Sequence, residues 1–400
     1  MTFNINAASW SEDTKAVRGG LDRTNFQETS EALFLNSGFV YESAEAAERA
    51  FTGEDERFVY SRYGNPTVAT FQERLRLLEG TEACFATASG MSAVFTALGA
   101  LLAAGDRVVA ARSLFGSCFV ILNEILPRWG VETVFVDGPD LEQWREALSV
   151  PTTAVFFESP SNPMQELVDI QAVADLAHAA GATVVVDNVF ATPLLQRSLD
   201  FGADVVVYSG TKHIDGQGRV LGGAILGPKD YIDGPVKQLM RHTGPSLSSF
   251  NAWVLTKGLE TMGLRVRHSS ASALAIAEWL EAQPEVSWVK YPFLASHPQY
   301  ELARKQMSAG GTVLTFELNA PDGGGKDAAF RLLNGLRIID ISNNLGDSKS
   351  LITHPATTTH RAMGAEGRAA IGLGDGVVRL SVGLEEVGDL IGDLEQALRG

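Results

Sequence analysis

The sequence predicts an α/β protein with a mainly parallel central sheet plus a smaller C-terminal α+β domain. Three observations predict it. From Gly80 to Gly227, short, continuously apolar runs rich in β-branched residues alternate with helical patterns, as in a sheet covered on both faces. After about Leu255 the chain changes to long helical patterns with fewer strands. The apolar runs end in small, hydroxylic or ionisable residues, at the place where open α/β sheets bind ligands.

In chain order, residues 1–62 are polar and mixed and read as an arm rather than a domain, with one helix over Ser43 to Phe51 begun by a serine cap. The first strong helix has Val68, Phe71, Leu75 and Leu78 at amphipathic spacing and Gly80 as its stop. Expected strands are Ala83–Ala86, Val108–Ala111, Thr133–Val136, Ala154–Phe157, Thr183–Val186, Val205–Tyr208 and Gly223–Leu226, with a helix over Asp169–Ala180. These make residues 63–255 the α/β domain. Residues 256–400 form the second domain, with helices over Arg265–Ala282 and Asp327–Leu333 and strands over Val286–Lys290, Thr312–Glu317 and Val377–Val382. Gly323 to Gly325 reads as an exposed loop.

The 400 residues are 45% hydrophobic, enough for a large core. The formal net charge of −16 argues against a nucleic-acid partner, which needs a basic face. Cys84 and Cys118 fit neither a disulfide framework nor a metal cluster and read as small buried hydrophobes in a reducing cytoplasm; no metal is expected. The N-terminus has no apolar signal core. Ala83 to Gly105 carries no charge over about 23 residues, long enough to span a bilayer, but Ser89, Gly90 and Ser92 break it into a strand, a turn and a buried helix.

The strand ends carry the chemistry. After Ala86, Ser89, Gly90 and Met91 open a helix whose first N–H groups can take an anion; alone this is also an ordinary turn. After Phe157, ESPSNP sets Asn162 between two prolines. After Val186 stands Asp187, a cap or a carboxylate awaiting a cation. After Tyr208 come Ser209, Thr211 and Lys212. A solvent-facing lysine is the plain alternative, but a desolvated one loses charge and can attack a carbonyl to form a Schiff base. Together these are a phosphate cradle, an acid for a ring nitrogen and an aldehyde-trapping lysine, the set that pyridoxal 5′-phosphate (PLP) requires.

The motifs YSRYGNPT, ASGMSA, ESPSNP, VVVDNVF, the lysine segment and KSLITHPATTTH resemble the Cys/Met-metabolism family of PLP enzymes from about Tyr60 to the C-terminus. The resemblance implies the aminotransferase-like fold of PLP enzymes (fold type I), with Lys212 bonded to the cofactor and Asp187 on its pyridine nitrogen. It implies that Ser89, Ser209, Thr211, Gly90 and Met91 hold the phosphate and that position 115 stacks on the ring. Asn162, Ser350 and Arg379 would face the substrate's α-carboxylate. Tyr60 and Arg62 would reach a neighbouring subunit's site, so a homo-oligomer is implied, a tetramer built from dimers.

At the stacking position the family often has tyrosine; this chain has Phe115, which can stack but cannot donate a proton. Acid help would fall to Tyr60 or Lys212. Lys349, and His213 followed by IDGQGR, resemble the branch that joins O-succinylhomoserine to sulfide. The implied reaction gives homocysteine and succinate and serves methionine biosynthesis. Use of cysteine as nucleophile, of an acetyl ester, γ-elimination from methionine, and a non-catalytic scaffold are the alternatives.

Overall fold

The computed structural model describes residues 5–320 and 324–400 and contains two sheets. The larger has β1 (Ala83–Thr87), β2 (Arg107–Ala111), β3 (Glu132–Val136), β4 (Ala154–Glu158), β5 (Thr183–Asp187), β6 (Val205–Ser209) and β7 (Gly223–Gly227), in the order β1-β7-β6-β5-β4-β2-β3. Only β7 runs against its neighbours. Each expected strand is present, one residue longer than the apolar run that marked it.

The continuous apolar runs have a direct cause. Val155, Phe157, Val184, Val186 and Val206 pack into one core, while Ala154, Phe156, Val185, Val205 and Val207 pack into another on the opposite face. Successive side chains point to opposite faces of a strand, so two-sided burial removes the polar alternation. The uncharged stretch from Ala83 resolves into β1 and the helix Gly90–Gly99, and among the described residues no helix is long and apolar enough to cross a membrane. Cys84 and Cys118 are both free and buried.

The helix Pro66–Glu79 starts where the Asn65 side chain accepts the Thr67 N–H at 2.9 Å, and stops at Gly80, whose φ is 85°. Left-handed backbone there suits glycine. The Ser43 cap likewise starts Ala44–Thr52. The helix expected at Arg265–Ala282 is much longer, Ser249–Glu281, capped by Ser248. Its first half buries Ala252, Leu255, Leu259 and Met262 against the large sheet's core, and its second buries Ala273, Ile276 and Leu280 against the small sheet's. One stripe at three- and four-residue spacing runs through both halves, and Gly258 and Gly263 inside the first half, both poor helix formers, hid the helix's continuity from a sequence reading. A single rigid rod therefore runs through position 255.

The smaller sheet has β8 (Val286–Lys290), β9 (Val313–Leu318), β10 (Asp340–Ile341), β11 (Leu351–Thr353) and β12 (Val377–Ser381), ordered β10-β11-β12-β9-β8. β10 and β11, of two and three residues, are too short for a pattern and were not expected from sequence. Gly323 lies outside the described residues. Gly325 corrects the exposed-loop expectation: it is buried and opens the helix Gly325–Gly335, where an added Cβ would lie 2.7 Å from the Gly376 nitrogen.

Candidate active site

The carboxyl ends of β4, β5 and β6 meet a cavity of about 240 Å³, closed on its far side by β12 and the segment around Asn343. At the end of β6, Ser209, Thr211 and Lys212 line it. Lys212 Nζ donates to Asn344 Oδ1 at 2.6 Å. Burial, aided by the nearby Arg379 charge, pulls the pKa of this amine down to about 8. A neutral amine is thus accessible near physiological pH.

Ser89 caps the helix Gly90–Gly99, its Oγ accepting the Ser92 N–H at 3.2 Å, and Ser89, Gly90 and Met91 line the cavity. The helix starts hard against the end of β6: a Cβ on Gly90 would stand 2.6 Å from Ser209 Cβ. Free first-turn N–H groups beside two hydroxyls form a cradle of the size and polarity of a phosphate.

Asp187 ends β5, and its Oδ1 accepts the Val189 N–H at 3.0 Å. Burial pushes the carboxyl up to about 7. A protonated ring nitrogen would supply the cation this carboxylate lacks. Phe115 and Asn162 also line the cavity.

Arg379, on β12, is fully buried. Its Nη1 donates to Asn162 Oδ1 at 3.0 Å and its Nη2 to the Asn343 and Asn344 carbonyls at 2.8 and 3.3 Å, while Nε has no partner among the described residues. Among the described residues no carboxylate pairs with it. Burial pulls its pKa down to about 10. A buried guanidinium that lines a cavity and has no carboxylate partner is suited to an anion supplied from outside.

Three residues named from sequence stand elsewhere. Tyr60 is partly exposed, outside this cavity. Arg62 stacks its guanidinium on the Tyr60 and Tyr63 rings, 5.3 and 4.8 Å from their centroids, and donates to the Arg241 carbonyl. Ser350 is buried, and its hydroxyl is committed: it donates to Glu385 Oε2 at 2.9 Å and accepts the Gly383 N–H at 2.9 Å. Lys349 beside it is exposed, its Nζ 3.5 Å from Asp347 Oδ1. His213 is buried between Thr312 Oγ1 (2.7 Å) and the Val189 carbonyl (3.1 Å).

Sequence reasoning missed Glu158, Asn343 and Asn344. Glu158 carried the same signal as Asp187, an acid closing an apolar run. The two asparagines precede β11, where no pattern marks them.

A family model described as Cys/Met metabolism PLP-dependent enzyme matches residues 13–399. The chain belongs to this family. It is accordingly a PLP-dependent enzyme, and the lysine, the acid and the cradle fit that cofactor. An O-succinylhomoserine sulfhydrylase of Mycobacterium tuberculosis (strain CDC 1551 / Oshkosh) is 71% identical over 388 residues, covering 97% of this chain and 96% of that protein. One from Pseudomonas aeruginosa is 49% identical, covering 96% and 94%. The fold matches a putative O-acetylhomoserine (thiol)-lyase of Campylobacter jejuni with a TM-score of 0.93 and 31% identity, covering 98% of this chain and 100% of that one. That structure carries an N′-pyridoxyl-lysine-5′-monophosphate.

Proposed function

We propose that the enzyme performs a γ-replacement: O-succinylhomoserine and sulfide give homocysteine and succinate, feeding methionine biosynthesis. The observation that carries this reading is the meeting of Lys212, Asp187 and the carboxylate-free Arg379 in one cavity. The names of the two sulfhydrylase relatives support the choice of ester and nucleophile. Bound here, PLP supplies the electron sink that lets bonds at the α- and β-carbons of the amino acid break so that the γ-substituent can leave.

The chain's own residues do the rest. Arg379 binds the α-carboxylate through Nε and its Nη donors, and Asn162 fixes the guanidinium's plane. Lys212 Nζ would hold the cofactor's aldehyde carbon and, once released, is the base that can take and return protons at the α- and β-carbons of the amino acid. Asp187 would accept from a protonated ring nitrogen and favour its charged form. Ser89, Ser209, Thr211 and the Gly90 and Met91 N–H groups hold the phosphate. Phe115 offers a ring face and no proton, so proton movement falls to Lys212 or to Tyr60 of another copy. The γ C–O bond breaks, succinate leaves, and sulfide forms the new C–S bond.

We further propose that Tyr60 and Arg62 serve a neighbouring copy's site, that Ser350 acts on the carboxylate side only indirectly, its N–H and hydroxyl both held by Glu385, and that the chain divides as 1–62, 63–255 and 256–400. The arm's exposed apolar side chains, Phe26 at 92% and Val40 at 89% exposure, support its covering by a second copy, in a tetramer built from two dimers in the cytoplasm. A competition assay tests the reaction: purified enzyme with PLP and O-succinylhomoserine receives sulfide and cysteine together, with products identified by mass. Homocysteine as the main product is expected. Cystathionine would move the enzyme to cysteine-dependent γ-replacement, and 2-oxobutyrate to γ-elimination.

A further inference from the structure

We propose that Glu158 is the positioning residue of this site, its single carboxyl group locking the loop that presents Phe115 to the loop that presents Asn162. The inference rests on reading the cavity as the cofactor and amino-acid site. Glu158 closes β4 and is 5% exposed, a place where a carboxyl is costly unless both oxygens are bonded. Both are. Oε1 accepts the Phe115 N–H at 2.7 Å, and Oε2 accepts the Asn162 N–H at 3.3 Å. Asn162 in turn holds Arg379. One side chain thus ties the ring-facing wall to the carboxylate anchor, two segments 47 positions apart in sequence (162 − 115).

Glu158 is also the register partner of Asp187 on β5, and their carboxylate oxygens and Cys118 Sγ lie within 4.8 Å of one another. Two carboxylates that close do not both ionise cheaply. Burial first and the Asp187 charge second hold the Glu158 proton far above the ordinary carboxylate range. The arrangement leaves Asp187 as the charged member when a cation occupies the cavity. Replacement by glutamine should therefore be uneven: two N–H donors face this side chain, and an amide offers one acceptor.

The test uses Glu158→Gln and Glu158→Ala, with Val155→Ala, buried lower on the same strand, as a stability control. Cofactor affinity is read by stripping the protein and titrating PLP against tryptophan fluorescence; KM and kcat come from the sulfide reaction. In E158Q the amide oxygen keeps the shorter Phe115 contact and its NH₂ opposes the Asn162 N–H. PLP affinity should stay within about twofold, while KM for the amino acid rises about tenfold, the scale of one lost bond to a charged network. E158A should weaken both by about tenfold or more. The control should move neither.

Equal effects of E158Q on PLP affinity and KM, or none, overturn the clamp, and so does a folded E158A with wild-type values. If E158A does not fold, E158Q alone decides. Failure of the site reading shows separately, as K212A retaining colour and turnover.

Discussion

Replacing Arg379 by methionine separates what the guanidinium does for binding from what it does for folding. Its side chain is fully buried, with three bonds to neutral acceptors, one free donor and no carboxylate partner among the described residues. A hydrogen bond between charged groups contributes ~1.5–3 kcal/mol, so losing a two-point grip on a carboxylate costs ~3–6 kcal/mol. At about 1.4 kcal/mol per tenfold, kcat/KM for O-succinylhomoserine should fall on the order of 10²–10⁴-fold. Folding should suffer far less. Burying an uncompensated guanidinium is itself unfavourable by several kcal/mol, and methionine fills much of its volume; relief of that cost offsets the loss of a donor for Asn162 Oδ1 and the Asn343 and Asn344 carbonyls. R379M should therefore melt within a few degrees of wild type in the cofactor-free form. The same variant reports on Lys212, because the Arg379 charge is the second cause, after burial, of that amine's lowered pKa. Without it the pKa moves up from about 8 towards 10.5, and the pH at which the protein loads PLP half-maximally shifts upward. Steady-state kinetics, calorimetry and the pH profile of loading are the three readouts. A kcat/KM within tenfold of wild type would refute the anchor. So would an unchanged preference for the substrate over its decarboxylated amine.

Lys212 and Asp187 give two further predictions, opposite in pH sign. The folded pKa of Lys212, about 8, lies below its ordinary 10.5. The unfolded chain therefore binds more protons in this window, and the cofactor-free protein gains stability as pH rises from about 8 to 10.5. The penalty below pH 8 is about 3 kcal/mol at 1.36 kcal/mol per unit. K212A should abolish PLP colour and turnover, lift that penalty at pH 7 and flatten the slope; denaturant melts across the range check it. Asp187 is the reverse: its pKa is raised from 3.8 to about 7, so its contribution to cofactor-free stability falls as pH climbs between those values. D187N should remove that fall, hold PLP more loosely and lose most of the rate. Near-normal kinetics would contradict the pyridinium pairing.

What was legible in the sequence was what burial on two faces and strand-end chemistry write locally. β4, β5 and β6 announce themselves because each is apolar on both faces, and the acid or lysine following such a run has nowhere inert to go. Asp187 and Lys212 were found by that rule; Glu158 obeyed it and was passed over because ESPSNP reads first as a turn. Other features are set by distant partners. Nothing near Ser350 says that its hydroxyl belongs to Glu385, and nothing near Asn344 says that its amide meets Lys212. The helix Ser249–Glu281 was half-visible because Gly258 and Gly263 interrupt its first half, and only packing against the large sheet's core holds that half helical.

The net charge of −16 posed a problem that the site resolves. An acidic chain that binds a phosphate and carboxylates must gather its cations where the overall field cannot cancel them. Arg379, fully buried, and Lys212, partly buried, meet at one cavity, each with its pKa lowered by desolvation. Asp187 lies opposite with its pKa raised by the same cause. All three are unfavourable in the empty protein, and an anionic amino acid with a protonated pyridine ring relieves all three. The folding energy forgone at these positions is returned on binding, so cofactor and substrate should each stabilise the fold more than their contact areas alone would suggest.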